Sequence, residues 1–283
     1  MLHAPTAALR AGTLAAALAL FAPGAAADVP APGYQLTTQP SPAAYAVTCS
    51  LPGGDRVTFD GLSVDRWSAD GNYLGNLATL PAFVFASFVT ATPDGSAVVI
   101  GESSVGDLLL VQADGSSSSP LVQLAYNYSA AWLPSGDLVV SAATSGLGMG
   151  NDLYRVQLSP PSSTLLGHVD GASGPVAVSA AGDLYYATQS DLFPPPPGAT
   201  DVVMWTAAQV SAGSLSLQNA QTVGAGFEGG SSLALDPVGG GLYLAETHFG
   251  LSLYRIVRVG PTPAASRVVV DQGVAYISDL EIL

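Results

Sequence analysis

The chain has no lysine, a single cysteine, and, beyond its first residues, no apolar run that escapes interruption by glycine, proline or aspartate. Each absence excludes something. Without lysine, positive charge rests on arginine alone, and seven arginines face twenty-one acids for a net charge of −14. Such a field repels a phosphate backbone and so excludes nucleic acid as a partner. It disfavours an anionic membrane surface for the same reason. Cations, neutral sugars, peptides and basic proteins remain open as partners. With Cys49 alone no internal disulfide can form, so stability must come from packing and strand hydrogen bonds. Cys49 lies in the apolar run "AYAVTCS", the setting of a buried, inert thiol rather than a nucleophile. Only 10% of residues are charged while 48% are hydrophobic, which also rules out a disordered acidic tail.

The first residues have the layout of an export signal. Arg10 supplies the positive region, "AGTLAAALALF" a short apolar core, and Ala25-Ala26-Ala27 a small-residue cleavage site. Residues 1–27 are therefore expected to be a signal peptide, and the mature protein to be periplasmic, on the cell surface or secreted. No later segment is long and apolar enough for a membrane span.

What the rest of the chain has is a repeat. Five segments share an apolar stretch, a glycine-containing turn and a second apolar stretch ending in a small or acidic residue. They are "AVTCSLPGGDRVTFD", "FVTATPDGSAVVIGE", "AAWLPSGDLVVSAA", "VAVSAAGDLYYAT" and "LALDPVGGGLYLAE". Each leads into a third strand ("LSVDRW", "GDLLLVQ", "NDLYRVQL", "DVVMWTA", "LSLYRIVRV") and a weaker fourth. Four short strands joined by glycine, aspartate and proline turns describe a β-propeller blade. The only helical signal is a short "TAAQV" after Trp205. The fold class expected is all-β, a propeller of four-stranded blades over residues 44–283. The closing "VAYISDLEIL" matches the innermost strand of a further blade, so six blades are expected, the last incomplete. Residues 28–43 could complete that blade, unless the chain is a shortened version of a longer one.

The last full repeat resembles the NHL-repeat family of propellers. Ser232, Leu233, Ala234, Leu235, Asp236, Leu242, Tyr243, Leu244, Ala245, Glu246, Arg255 and Ile256 follow that family's pattern residue by residue. The resemblance implies a propeller fold; propellers of this kind include binding scaffolds, lyases and hydrolases.

Aligning the repeats puts Asp60, Glu102, Ala142, Thr188 and Glu246 at one position, the end of each blade's second strand. Acids gathered there from three blades suit Ca²⁺ or Mg²⁺. The same acids also suit a structural role, accepting hydrogen bonds from the turn that follows. Long second-to-third-strand loops in the third and fourth blades add Asn151, Asp152, Gln189 and Asp191 as ligand-face candidates, and the fifth adds Thr247 and His248. Pro194 to Pro197 favour a stiff polyproline segment, as spacer or as a feature read by a partner. Two histidines, His168 and His248, do not make a zinc cluster, and no Gly-x-Ser-x-Gly elbow is present. "NYS" at Asn127 is a glycosylation sequon. Two functions follow. One is an exported, non-catalytic propeller binding a protein, glycan or small molecule through its loop face. The other is a metal-dependent hydrolase or lyase, as the resemblance to gluconolactonase-type propellers would imply. The chain lacks the "EGP" and "SNGL"-like signatures of those enzymes, so Asp60, Glu102 and Glu246 would have to build a different site.

Overall fold

The computed structural model describes residues 29–31, 46–103, 105–144, 149–192, 195–248, 253–260 and 265–273. A two-residue strand, β1 (Val29–Pro30), precedes the repeats. The first blade is β2 (Val47–Ser50), β3 (Arg56–Phe59), β4 (Ser63–Trp67) and β5 (Tyr73–Thr79). The second is β6 (Ala86–Ala91), β7 (Ala97–Glu102), β8 (Asp107–Gln112) and β9 (Ser118–Gln123). The third is β10 (Asn127–Trp132), β11 (Leu138–Ala143), β12 (Met149–Leu158) and β13 (Pro161–Ala172). The fourth is β14 (Val176–Val178), β15 (Leu184–Ala187), β16 (Thr200–Trp205) and β17 (Gln221–Phe227). The fifth is β18 (Gly230–Leu235), β19 (Leu242–His248), β20 (Leu253–Arg258) and β21 (Arg267–Gly273). Every blade is an antiparallel meander in which consecutive strands pair.

The middle strands show why these sequences form blades. In β7, Ala97–Glu102, all six residues are buried. Val98 and Ile100 pack against the first blade, whereas Val99 packs against the third. A strand covered on both faces has no solvent side to mark with polar residues, so it reads as a continuous apolar run. β11 has the same burial for the same reason. At about 1.5–3 kcal/mol per fully buried aliphatic side chain, these inter-blade contacts carry most of the stability of a disulfide-free chain.

The predicted helix is present as α1 (Ala207–Ala212), in the connection from β16 to β17. Thr206 caps it and Gln209 completes a capping box, while Gly213 closes it in the left-handed region.

Among the described residues there are five blades, not six. Val29 and Pro30 pair with Asp271 and Val270, so β1 lies on the outer edge of the fifth blade rather than in a sixth. The edge of β21 offers unpaired backbone groups, and a short strand satisfies them. The match in "VAYISDLEIL", residues 274–283, lies outside the described residues, as do residues 32–45. Apolar clusters fill the junctions of blades one with two, two with three, three with four, and four with five.

Strand direction alternates, so connections separate by face. The second-to-third-strand loops and the linkers between blades lie on one face, called here the loop face. The remaining turns and α1 lie on the other.

Candidate functional site

The aligned strand ends form a set of turn closures. Asp60 follows β3, and its Oδ1 accepts the backbone N–H groups of Leu62 (2.8 Å) and Ser63 (2.7 Å). Glu102 ends β7, and its Oε2 accepts those of Val105 (2.6 Å) and Gly106 (2.9 Å). Thr188 follows β15, and its Oγ1 accepts the N–H of Asp201 at 2.9 Å. Glu246, inside β19, accepts Glu228 N at 2.8 Å and is gripped by Arg255 through Nε (2.5 Å) and Nη2 (3.1 Å). Each side chain thus binds the loop next to it or, for Glu246, the linker into its own blade. Among the described residues no three His, Cys, Asp or Glu side chains gather in a way that could hold a metal ion.

The other sequence candidates fall in different places. Asn151 is wholly buried in β12 rather than exposed in a loop, and its Nδ2 donates to the Tyr186 hydroxyl at 3.2 Å. Its Oδ1 has no hydrogen-bond partner among the described residues. Burial pushes the Tyr186 hydroxyl pKa well above its ordinary value, so it stays a donor, to the Ala172 carbonyl at 3.0 Å. Asp152, next in β12, pairs with His168 Nδ1 at 2.8 Å and accepts the Tyr154 hydroxyl at 2.9 Å. Partial burial, followed by the bond to Asp152, pushes Tyr154 up to about 12. Tyr154 is therefore a donor to the Asp152 carboxylate that it shares with His168.

Gln189 donates from Nε2 to the Gly230 carbonyl at 2.8 Å, tying the fourth-blade loop to the fifth blade. Asp191 is exposed in that loop. The proline tract, of which Pro195–Pro197 are described, ends in a turn closed by Ala199 N to Pro196 O at 3.1 Å. Thr247 is not on a free loop as the repeat suggested. It is 2% exposed within β19, and its N–H donates to the Gly229 carbonyl. His248 also belongs to that strand, paired with Leu253. Phe249 to Ser252 lie outside the described residues.

Asn127 is a knot rather than a glycan acceptor. It is 1% exposed, and its Nδ2 donates to the carbonyls of Glu102 (2.6 Å) and Leu124 (3.1 Å). Its Oδ1 accepts the Ser87 hydroxyl. A buried amide so engaged is closed to glycosylation in the folded protein.

At the centre, the inner strands of all five blades line a cavity of about 150 Å³. Thr48, Thr90, Ser129 and Ser232 contribute to its wall beside the apolar Val89 and Val176. Cys49 also lies in this wall and is buried, at 6% exposed. The Tyr128 hydroxyl, from the start of β10, donates to the Ser231 carbonyl of β18 at 3.3 Å and so joins the third blade to the fifth.

The feature that the repeat pattern missed is apolar. Leu62, Phe83, Phe85, Val105, Tyr126 and Leu192 are exposed, and all six lie in loops or linkers of the loop face. "PAFVF", between β5 and β6, was the available signal: three large apolar residues in a segment with no strand to pair.

No family model matches the chain, and no curated protein matches it. Solved structures do resemble it. A chain of the nidogen/laminin complex superposes with a TM-score of 0.59 at 11% identity, covering 79% of this chain and 78% of that one. A gluconolactonase from Xanthomonas campestris gives 0.56 at 14% identity over 80% and 76% of the two chains. Virginiamycin B lyase from Staphylococcus aureus gives 0.54 at 12% over 85% and 73%. At these identities the likeness carries the fold alone, and the fold is a β-propeller of four-stranded blades.

Proposed function

We propose that the protein is an exported, non-catalytic propeller that binds a partner through its loop face. The observation that carries this reading is that six of the ten exposed large apolar side chains among the described residues lie on that face, because contiguous exposed apolar surface marks interaction sites. The aligned acids support it from the other direction. Their oxygens serve their own turns and Arg255, which argues against the metal-dependent hydrolase or lyase. The ring itself we take to be six-bladed, since no apolar cluster joins the fifth blade to the first among the described residues.

The test is metal content and hydrolysis on the purified mature protein. The expected result is no stoichiometric divalent ion, no shift of the melting temperature with Ca²⁺ or Mg²⁺, and no lactone hydrolysis. Stoichiometric metal that disappears in Glu102→Gln or Glu246→Gln would sink the scaffold reading and restore the metalloenzyme.

A further inference from the structure

Five of the exposed apolar residues form one strip. Backbone hydrogen bonds tie its pieces in sequence: Val84 N to Gly61 O (2.8 Å), Leu80 N to Leu62 O (2.8 Å), Ser103 N to Phe85 O (3.0 Å) and Tyr126 N to Ser103 O (3.0 Å). Leu62, Phe83, Phe85, Val105 and Tyr126 therefore lie along a continuous path over the first two blades and the entry to the third. Phe83 and Phe85 meet edge to face with ring centroids 6.0 Å apart, yet remain 65% and 67% exposed. Beneath them, Gly61 (φ +92°) lets the linker close in. A Cβ there would stand 2.1 Å from the Val84 carbonyl oxygen and 3.0 Å from the Phe83 ring. The linker backbone and the Phe83 ring are thus packed over Gly61, and the Phe85 ring meets Phe83, so part of the ordering cost of binding is met before any partner arrives. Tyr126 adds a backbone held at φ +54°, unusual for a side chain of its size.

Charge is distributed to match one kind of partner. Of the six arginines after residue 27, five lie toward the opposite face. Arg56 opens β3, Arg66 bonds Asp55 (2.7 Å), Arg155 bonds the Val210 carbonyl of α1 (2.9 Å), Arg258 ends β20, and Arg267 opens β21. The sixth, Arg255, is held by Glu246. Asp60 and Asp107 border the strip, and among the described residues it has no arginine of its own.

We propose that this strip docks a basic segment of another protein, with apolar side chains against Phe83, Phe85 and Val105 and cationic ones toward Asp60 and Asp107. The inference rests on the loop-face reading above and narrows it to one place and one chemistry. A lipid surface fits less well, because acids beside the rings are repelled by anionic headgroups.

A random linear peptide library displayed on phage, selected against the immobilised mature protein, tests the idea. Selected peptides should be rich in arginine or lysine with apolar residues interspersed. Phe83→Ser/Phe85→Ser should weaken them more than about tenfold, as truncation of aromatic hot spots does, with the circular dichroism spectrum and melting temperature retained. Asp107→Asn should weaken them less and reduce their salt dependence. Peptides that are not basic, or that lose binding with Leu192→Ser but not with the Phe83/Phe85 pair, would overturn the strip while leaving a loop-face scaffold standing. Failure to select any peptide would count against both. Phe-dependent co-sedimentation with phosphatidylcholine vesicles, without peptide binding, would assign the strip to lipid and overturn the proposal.

Discussion

Glu102 and Glu246 are 3% and 2% exposed, and carboxylates so buried need partners. The two solve this differently. Glu102 takes two N–H groups of its own turn, whereas Glu246 pairs with Arg255 and reaches back to Glu228 N. Removing Glu246 takes an acceptor from the part-buried Glu228 N–H and breaks the ion pair with Arg255. Because the Arg255 side chain is 44% exposed, water recovers part of that loss, so the full cost of a broken buried pair does not apply. Glu246→Ala is therefore expected to cost about 2 kcal/mol, lowering the melting temperature by about 4–8 °C. Glu246→Gln should cost less, since an amide oxygen can still accept Glu228 N. Thermal unfolding followed by circular dichroism measures both. A melting temperature unchanged in Glu246→Ala would mean that this carboxylate does not hold the strand end.

At the level of strands and linkers, Asn127 does for the second and third blades what Glu246 does for the fifth. One amide joins the end of β7, the linker at Leu124 and Ser87 of β6. Asn127→Ala leaves two carbonyls and a hydroxyl without this partner at a buried site. About 2 kcal/mol or more should be lost, given 1–3 kcal/mol for a buried polar group that loses its bond. Asn127→Asp should fail to rescue it, because a carboxylate has no N–H for the carbonyls. Chemical denaturation that gave the two variants the stability of the unsubstituted protein would remove the knot from the account. Much at this scale was legible in the sequence. Continuous apolar runs such as "AVVIGE" marked strands buried on both faces, and "TAAQV" marked α1. The acids ending second strands were visible as a repeat, with their structural role among the readings. What failed was the boundary between strand and loop near the site. "ND" at Asn151 looked like a polar loop, but a tyrosine from the next blade supplies its partner, and nothing local announces that contact. Thr247 likewise belongs to β19 because of a bond to Gly229, eighteen residues away. Phe83 and Phe85 stand out in the sequence only as large apolar residues in a segment between strands; their exposure is a property of the assembled blades.

Across the whole molecule, apolar clusters of the described residues fill four junctions between blades, and among those residues none joins the fifth blade to the first. The first blade shows what faces that junction. Val57, Phe59 and Val64 point to the second blade, which sends the alternate residues Thr58, Asp65 and Trp67 the other way. They form a polar group of their own: the Trp67 indole donates to Thr58 at 3.0 Å, and Asn76 donates to Asp65 at 2.9 Å. Thr58 is nevertheless only 6% exposed. On the six-bladed reading proposed above, a further wedge would lie between this surface and the fifth blade, and residues 274–283, whose sequence matches an inner strand of the repeat, would supply it. Ending the chain after Gly273 should therefore cost about 3 kcal/mol or more, given 1.5–3 kcal/mol per buried aliphatic side chain. The melting temperature should fall by at least about 6 °C, and binding of an apolar dye should rise as the seam opens. Trp67 offers a local reading, since its fluorescence should shift to the red in the shortened chain. If the shortened chain melts with the full one and Trp67 emission stays put, the five blades close on themselves and the sixth is withdrawn.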